Sequence, residues 1–436
     1  MLRIRPFLPV FLPVFLPVGS GFGAGFAQAL EMEGPSPGQY GLENTLVVTG
    51  AGAGSEVVLA SGLVPGSSDV PSCPGLAIGI ARQGFFHLER VVADVLGRAE
   101  FVLDVPPVAL DHQVYFQAVD RSQCTVSDRI DYRFERHPLD DELRVHHLQM
   151  RGTHNSYHLE PAVPVHPSHR YSHVPLDVQL EEEGVRAFEL DLHRHLTGWR
   201  VYHISVVDAQ STCRHLVDCL SVIGDWSAAN PEHAPVIIWL EPKDDTGGLP
   251  ILDLTPVDEI IFNTFPPERL LTPDDVQGSY GSLRERLEAE GWPTLGETRG
   301  RVFFSLLDTG PKARTYSRGY TSLAGRAMFV NCDQDQVTTP VAAVRKLAPG
   351  AAEEIAGALA AGFFVGGNIC NADESDEQCE QDLADGLRNG LNALKDDYPA
   401  PVPGRDYWAD LPGGRPLLCN PLSAPVECNP LSVEDL

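Results

Sequence analysis

The sequence predicts an α/β protein: a (β/α)8 barrel of the TIM type preceded by a small all-β sandwich. Three observations carry this. Short strand-like runs, separated by clusters of Gly, Pro, Asp and Ser, fill residues 30–140. From residue 141 strand candidates alternate with helical stretches. Four of those strand candidates end in titratable side chains, where barrels carry their chemistry. The expected division is a leader at 1–29, a β module at 30–140 and the barrel at 141–436.

The leader comes first. Arg3 and Arg5 precede three copies of Phe-Leu-Pro-Val and a run of small residues ending Ala27-Gln28-Ala29. A positive start, an apolar middle and an A-x-A end are the layout of a secretory signal, with cleavage expected after Ala29. Pro9, Pro13 and Pro17 each remove a helix donor, which disfavours a spanning helix. The medium, the periplasm and the cell surface are all compatible destinations. The nine cysteines fit an oxidising compartment. Cys213/Cys219, Cys370/Cys379 and Cys419/Cys428 could each close a short loop, Cys73 and Cys124 could staple the front module, and Cys332 is then left over. No C-x-x-C pair supports a zinc site.

Acidic residues outnumber basic ones 60 to 32, for a formal charge of -28, or -30 once the two leader arginines are gone. A phosphate backbone would be repelled, so nucleic acid is excluded as a partner. Contact with an anionic bilayer is opposed for the same reason, and membrane contact is expected to be transient.

In the front module the expected strands are Leu46–Thr49, Glu56–Ala60, Leu76–Ile80, Phe86–Ala93, Glu100–Val105, Val114–Val119 and Ile130–Phe134. No cluster of catalytic residue types falls there. The composition resembles immunoglobulin-like modules that precede catalytic domains in exported bacterial proteins, which implies a stabilising or attachment role.

In the barrel the expected strands are His147–Gly152, Val185–Leu192, Arg200–His203, Val236–Leu240, Arg301–Leu307, Ala327–Asn331, Gly362–Val365 and Leu391–Lys395. Helices are expected at Asp177–Glu183, Leu216–Ala229, Ser282–Glu290 and Ala351–Ala360. The first strand runs into His154-Asn155-Ser156-Tyr157-His158, the second into Glu189-Leu190-Asp191, the third into Tyr202-His203 and the fourth into Glu241-Pro242-Lys243. Strands have period two, so Glu189 and Asp191 share a side. Carboxylates converging on one barrel mouth repel one another, and a divalent cation removes that cost. Glu189, Asp191, Glu241 and the amide oxygen of Asn155 form an all-oxygen set, which suits Ca2+ better than Zn2+; Mg2+ prefers fewer protein ligands. His154 and His203 would flank the ion as the base and acid that an in-line displacement at phosphorus requires.

These residues resemble the bacterial Ca2+-dependent phosphatidylinositol-specific phospholipase C family. The likeness lies in Gly152-Thr153-His154-Asn155-Ser156-Tyr157-His158, in Glu183 to Asp191, in Val201-Tyr202-His203 and in Glu241-Pro242-Lys243. It continues in Trp226-Ser227, Asn230 to His233, and Trp292 to Glu297 with Arg299 to Val302, spanning roughly residues 147–400 in the same order. The resemblance implies a TIM barrel, a Ca2+ ion and cleavage between phosphate and diacylglycerol. By motif position it implies Asn155, Glu189, Asp191 and Glu241 as metal ligands, His154 and His203 as the catalytic pair, and Lys243 as a contact to phosphate or inositol. There is one departure. Relatives usually carry Arg-Thr-Arg after the seventh strand, whereas here Phe364-Val365 is followed by Gly366-Gly367-Asn368-Ile369-Cys370-Asn371.

Other readings stay open. A glycerophosphodiester phosphodiesterase or phospholipase D-like barrel would usually open its first strand with His-Arg-Gly, which this chain lacks. A catalytically degenerate barrel could serve as a surface-binding protein. His158, His166, His169, His173, His193 and His195 read as surface or loop histidines, and Asp373 to Glu377 as an exposed acidic loop. Phe262 to Phe265 and Leu270-Leu271 are candidate apolar rim loops. The sequence leaves the oligomeric state open.

Overall fold

The computed structural model describes residues 29–434 apart from 41–43, 104, 106–108, 111, 245–248, 252 and 430–432. The expected leader, Ala29 aside, lies outside the described residues. The chain divides into two compact units, one of residues up to 33, 46–101 and 115–131, the other of residues 34–45, 102–114 and 132 onward.

The front of the chain is all-β. Its strands are β1 (Glu31–Ser36), β2 (Asn44–Thr49), β3 (Glu56–Gly62), β4 (Pro65–Asp69), β5 (Ala77–Ile80), β6 (Phe85–Val92), β7 (Ala99–Leu103), β8 (Val114–Asp120), β9 (Thr125–Val126) and β10 (Ile130–Tyr132). They form sheets in the orders β1-β2-β7, β10-β8-β3-β6 with β9 on β8, and β4-β5. Alternation explains the clearest of them: Leu46 and Val48 of β2, and Ala99, Phe101 and Leu103 of β7, are buried while their neighbours are not. All seven expected strands are present. β4 escaped notice because Pro-Gly-Ser-Ser-Asp has no apolar alternation.

The rest builds a closed barrel. Its eight parallel staves are β11 (Leu148–Thr153), β12 (Ala187–His195), β14 (Val236–Lys243), β15 (Val302–Leu306), β16 (Met328–Asn331), β17 (Ala342–Lys346), β18 (Phe364–Cys370) and β19 (Ala393–Asp396). β13 (Gly198–Val201) and β20 (Leu417–Cys419) add antiparallel to β12 and β11. Closure comes from the β11–β12 pairing, Gly152 against Ala187. A Cβ on Gly152 would lie 2.8 Å from the Ala187 Cβ, so the seam closes only over glycine.

Two expectations need correction here. The run Arg200–His203 is not a stave. Leu192 pairs with Val201 and His195 with Gly198, so β13 folds straight back on β12. The short link forces this, because a parallel crossover needs a dozen or more residues. The true sixth stave, β17, was missed; its Ala-Ala-Val-Arg-Lys sequence lacks the bulky apolar run of its neighbours, yet Ala342, Ala343 and Val344 are fully buried.

Helices pack outside. In the helix Leu216–Ala229, Leu216, Cys219, Leu220, Ile223 and Ser227 are buried, a stripe at spacings of three and four. Each fully buried leucine there contributes roughly 1.5–3 kcal/mol. The acidic stretch after β18 is non-helical over residues 373–375 and leads into a helix start at Asp376 and Glu377. Ser375 caps the helix Asp376–Asn389, accepting from Gln378 N–H, with Asp376 and Glu377 in its positive first turn. Disulfides join Cys73–Cys124, Cys213–Cys219, Cys370–Cys379 and Cys419–Cys428, and Cys332 is a buried free thiol.

The barrel interior sets the floor of the site. Trp239 is fully buried, beside Glu189 in register on β12 and Ser305 on β15. The Lys395 ammonium sits 4.8 Å above its ring. Carboxylates at the next inward level of β12 and β14, Asp191 and Glu241, stand side by side.

Candidate active site

One oxygen from each of Glu189, Asp191 and Glu241 lies within 4.8 Å of the others. Glu189 and Asp191 are buried and Glu241 is half-buried. Such a trio needs positive charge nearby. Glu189 has it: Lys395 binds its Oε2, and Lys346 Nζ lies 3.5 Å from the same oxygen. Burial would raise the Glu189 carboxyl, but the two lysines and His154 hold it well below the ordinary range. Glu241 has Lys243, whose Nζ is 2.6 Å from Oε1. Asp191 is the exception. Neither of its oxygens accepts a hydrogen bond, and Lys243 Nζ is 3.6 Å away. Burial pushes its carboxyl well above the usual carboxylate range.

Asn155 sits at the β11 exit with φ 43°, and its buried Oδ1 accepts from Tyr157 Oη at 3.2 Å. That phenol is itself held protonated, first by burial and then by the Asp191 charge. An orphaned buried carboxylate flanked by two more, with a carboxamide oxygen one hydrogen bond from a phenol beside it, is a donor set that fits a hard divalent cation.

His154 projects from the same exit. Its Nδ1 is 2.9 Å from Asp397 Oδ1 and its Nε2 is 3.7 Å from Glu189 Oε1. Asp397 Oδ2 in turn accepts from Ala372 N–H at 2.8 Å. Burial lowers the imidazole, but Asp397 and Glu189 outweigh it, and the net shift is upward.

His203 follows β13. Its Nδ1 lies 2.7 Å from Oδ2 of Asp208, which is buried, and its side chain remains 25% exposed. His158 Nε2 takes the other Asp208 oxygen at 2.8 Å. These imidazoles hold the Asp208 carboxyl well below its ordinary range against its own burial.

Several expectations change. His158, His169, His173 and His193 are buried, not surface residues; His166 is exposed and His195 intermediate. Phe265, Leu270 and Leu271 are buried and cannot form an apolar rim. On β18, a Cβ on Gly366 would lie 2.8 Å from the Trp239 indole and one on Gly367 2.4 Å from the Leu347 carbonyl oxygen. Neither position can hold a side chain without movement. Asn368 supplies the only side-chain polar group of the three, and its Oδ1 is buried without a partner.

Sequence reasoning missed Lys346, Lys395, Asp397, Asp208 and His158. Lys395 and Asp397 stood at the exit of an expected strand, so the strand-end rule could have found them. Lys346 was hidden with its unrecognised strand, and nothing local marks Asp208.

The sequence profile of the family described as phosphoinositide phospholipase C, Ca2+-dependent, matches residues 143–198 and 195–421. No curated protein matches the chain. Among solved structures, a calcium-dependent phosphoinositol-specific phospholipase C from Pseudomonas sp. is 18% identical, with 65% of this chain and 98% of that one covered and a TM-score of 0.47. A Ca2+-dependent enzyme from Streptomyces antibioticus is 17% identical, with 64% and 99% covered and a TM-score of 0.46. A phosphatidylinositol-specific phospholipase C from Staphylococcus aureus is 14% identical, with 62% and 93% covered and a TM-score of 0.38.

Proposed function

The chain belongs to the Ca2+-dependent phosphoinositide phospholipase C family, and on that premise we propose that it is an exported enzyme cleaving phosphatidylinositol to diacylglycerol and a cyclic inositol phosphate. The observation that supports this is the pairing of two imidazoles with two buried carboxylates, His154 with Asp397 and His203 with Asp208, with His154 3.7 Å from Glu189 of the trio Glu189, Asp191 and Glu241.

The chemistry follows from the side chains. His203 donates its Nδ1 hydrogen to Asp208, which leaves Nε2 to protonate the departing glycerol oxygen. His154, oriented by Asp397, takes the proton of the inositol 2-hydroxyl as that oxygen attacks phosphorus. One bond forms to the ring oxygen, one breaks to the diacylglycerol oxygen, and one proton moves at each end. Lys243 contacts the phosphate or an inositol hydroxyl. Ca2+ held by Asn155, Glu189, Asp191 and Glu241 would stabilise charge building on the phosphoryl oxygens. With glycines at 366 and 367, the site favours a ring without added phosphates.

The proposed division keeps the leader at 1–29, the β module at 30–140 and the catalytic barrel at 141–436. No helix among the described residues is long and apolar enough to cross a membrane. Contact with a bilayer would be transient and would use apolar tips at the barrel mouth: Leu196, 93% exposed in the β12–β13 turn, and Val206, 94% exposed beyond β13. Four disulfides agree with an oxidising location outside the cytoplasm.

The test is turnover of phosphatidylinositol vesicles with Ca2+ or with chelator, read by phosphorus NMR. A cyclic inositol phosphate formed only with Ca2+ is expected. Choline from sphingomyelin or lysophospholipid, or glycerol phosphate from glycerophosphodiesters, with no cyclic product, rejects the assignment.

A further inference from the structure

Three histidine side chains, His158, His169 and His203, converge around Asp208 at the barrel mouth. Asp208 is fully buried; Oδ1 lies 2.8 Å from His158 Nε2, and Oδ2 lies 2.7 Å from His203 Nδ1 and 3.7 Å from His169 Nδ1. Ligating atoms of His158, His203 and Asp208 all fall within 4.8 Å of one another.

One of these rings lacks a partner at a buried nitrogen, and another stands between two acceptor oxygens. The Nδ1 of His158 faces the Tyr171 carbonyl oxygen at 3.1 Å, an atom that only accepts. That bond places the hydrogen of a neutral ring on Nδ1 and turns the Nε2 lone pair toward a carboxylate oxygen. His169 is 4% exposed, and its Nδ1 has no hydrogen-bond partner at all. A cation lodged among His158, His203 and Asp208 would take the His158 lone pair and give the unpartnered nitrogen of His169, 3.7 Å from Asp208, a ligand to bind. A backbone carbonyl behind the far nitrogen of an imidazole is also the usual outer support of a metal-bound histidine. Three nitrogens and one oxygen suit four-coordinate Zn2+, whereas Ca2+ takes oxygens. The side chain of His203, a quarter exposed, gives an ion its way in.

We propose that His158, His169, His203 and Asp208 form a second metal site, selective for Zn2+ over Ca2+, whose occupation withdraws His203 from catalysis. Binding Zn2+ at His203 Nδ1 expels the proton shared with Asp208 to solvent. The ring is then locked onto the metal and can no longer cycle a proton through Nε2. The inhibition rests on the role given to His203 above; the binding does not.

The experiment titrates the full chain with Zn2+ by calorimetry in saturating Ca2+, with Co2+ absorption as a spectroscopic probe of four-coordinate binding. One Zn2+ per chain is expected. Its affinity should be unchanged in Asp191→Asn and at least tenfold weaker in His169→Gln, whose amide keeps a polar contact available to Asp208. Thermal melting confirms that both variants fold. Turnover should fall with Zn2+ occupancy and return on chelation, and His169→Gln without zinc should turn over like the parent. Absence of Zn2+ binding, or binding lost in Asp191→Asn but kept in His169→Gln, overturns the site. Zinc bound as described with turnover unaffected overturns the withdrawal of His203. A parent inactive on phosphatidylinositol without zinc rejects the phospholipase reading instead, and the calorimetry and Co2+ spectrum still decide the site.

Discussion

Asp397 Oδ1 holds His154 Nδ1 at 2.9 Å, although 243 positions separate them in the chain. Replacing Asp397 by Asn keeps the shape and removes the charge. Burial pulls the imidazole down and Asp397 raises it, so the variant's folded pKa drops. A base works above its pKa. The acid limb of the rate profile should therefore move to lower pH, while the plateau falls about 10²–10⁴-fold. An unmoved limb would take Asp397 out of the account.

Asp191→Asn acts on the orphaned carboxylate. Calcium affinity should drop at least about tenfold, since a charged ligand becomes neutral. Without calcium the variant should be more stable than the parent by on the order of 1 kcal/mol, because a buried carboxylate with no hydrogen-bond partner is gone. Isothermal calcium titration and melting without calcium give both numbers. An unchanged titration removes Asp191 from the ligand set.

His203→Ala separates catalysis from metal binding. Turnover should fall about 10²–10⁴-fold with calcium affinity unchanged. Near-parental turnover would show that another group protonates the leaving oxygen.

Gly366→Ala tests the glycine pair. The new methyl would meet the indole of Trp239 at 2.8 Å, deep in the barrel. A loss of roughly 1–3 kcal/mol in denaturant unfolding is expected. In the parent, phosphatidylinositol should be turned over faster than its bisphosphate; the reverse order would mean that other groups grip ring phosphates.

Acid stability follows from buried histidines. Burial lowers His146 to about 3, and His173 and His233 to about 4, from an ordinary 6.5. Their rings stay neutral in the fold and gain protons on unfolding once the pH is under 6.5. At these three positions the unfolded chain then binds more protons, so their contribution to stability is lost as pH falls from there toward about 4, by up to roughly 1.4 kcal/mol per histidine per pH unit. Melting temperatures at pH 7 and pH 5 measure this, and His233→Gln should flatten the slope. An identical pH 7 to pH 5 shift in the parent and in His233→Gln would contradict it.

Much of the site is legible in the sequence. Glu189 and Asp191 share a side because strands have period two, and Glu241 stands at the end of an apolar run that can only be a buried strand. The order of the motifs named the family. Other features were not readable. Arg200–His203 looks like a stave locally, and only its short connection to β12 shows that it must turn back. The burial of His158 depends on Tyr171 and Asp208, which come from loops without periodicity.

Local patterning in this sequence determined that strands and helices alternate, which faces of them are apolar, and which carboxylates and histidines stand at strand ends. Tertiary structure decided which partners those groups meet. Barrel closure brings β19 beside β11, and so Asp397 to His154 and Lys395 to Glu189. Periodicity is written in neighbouring residues, whereas electrostatic pairing across a closed ring depends on register and curvature summed over every stave. No short segment contains that sum.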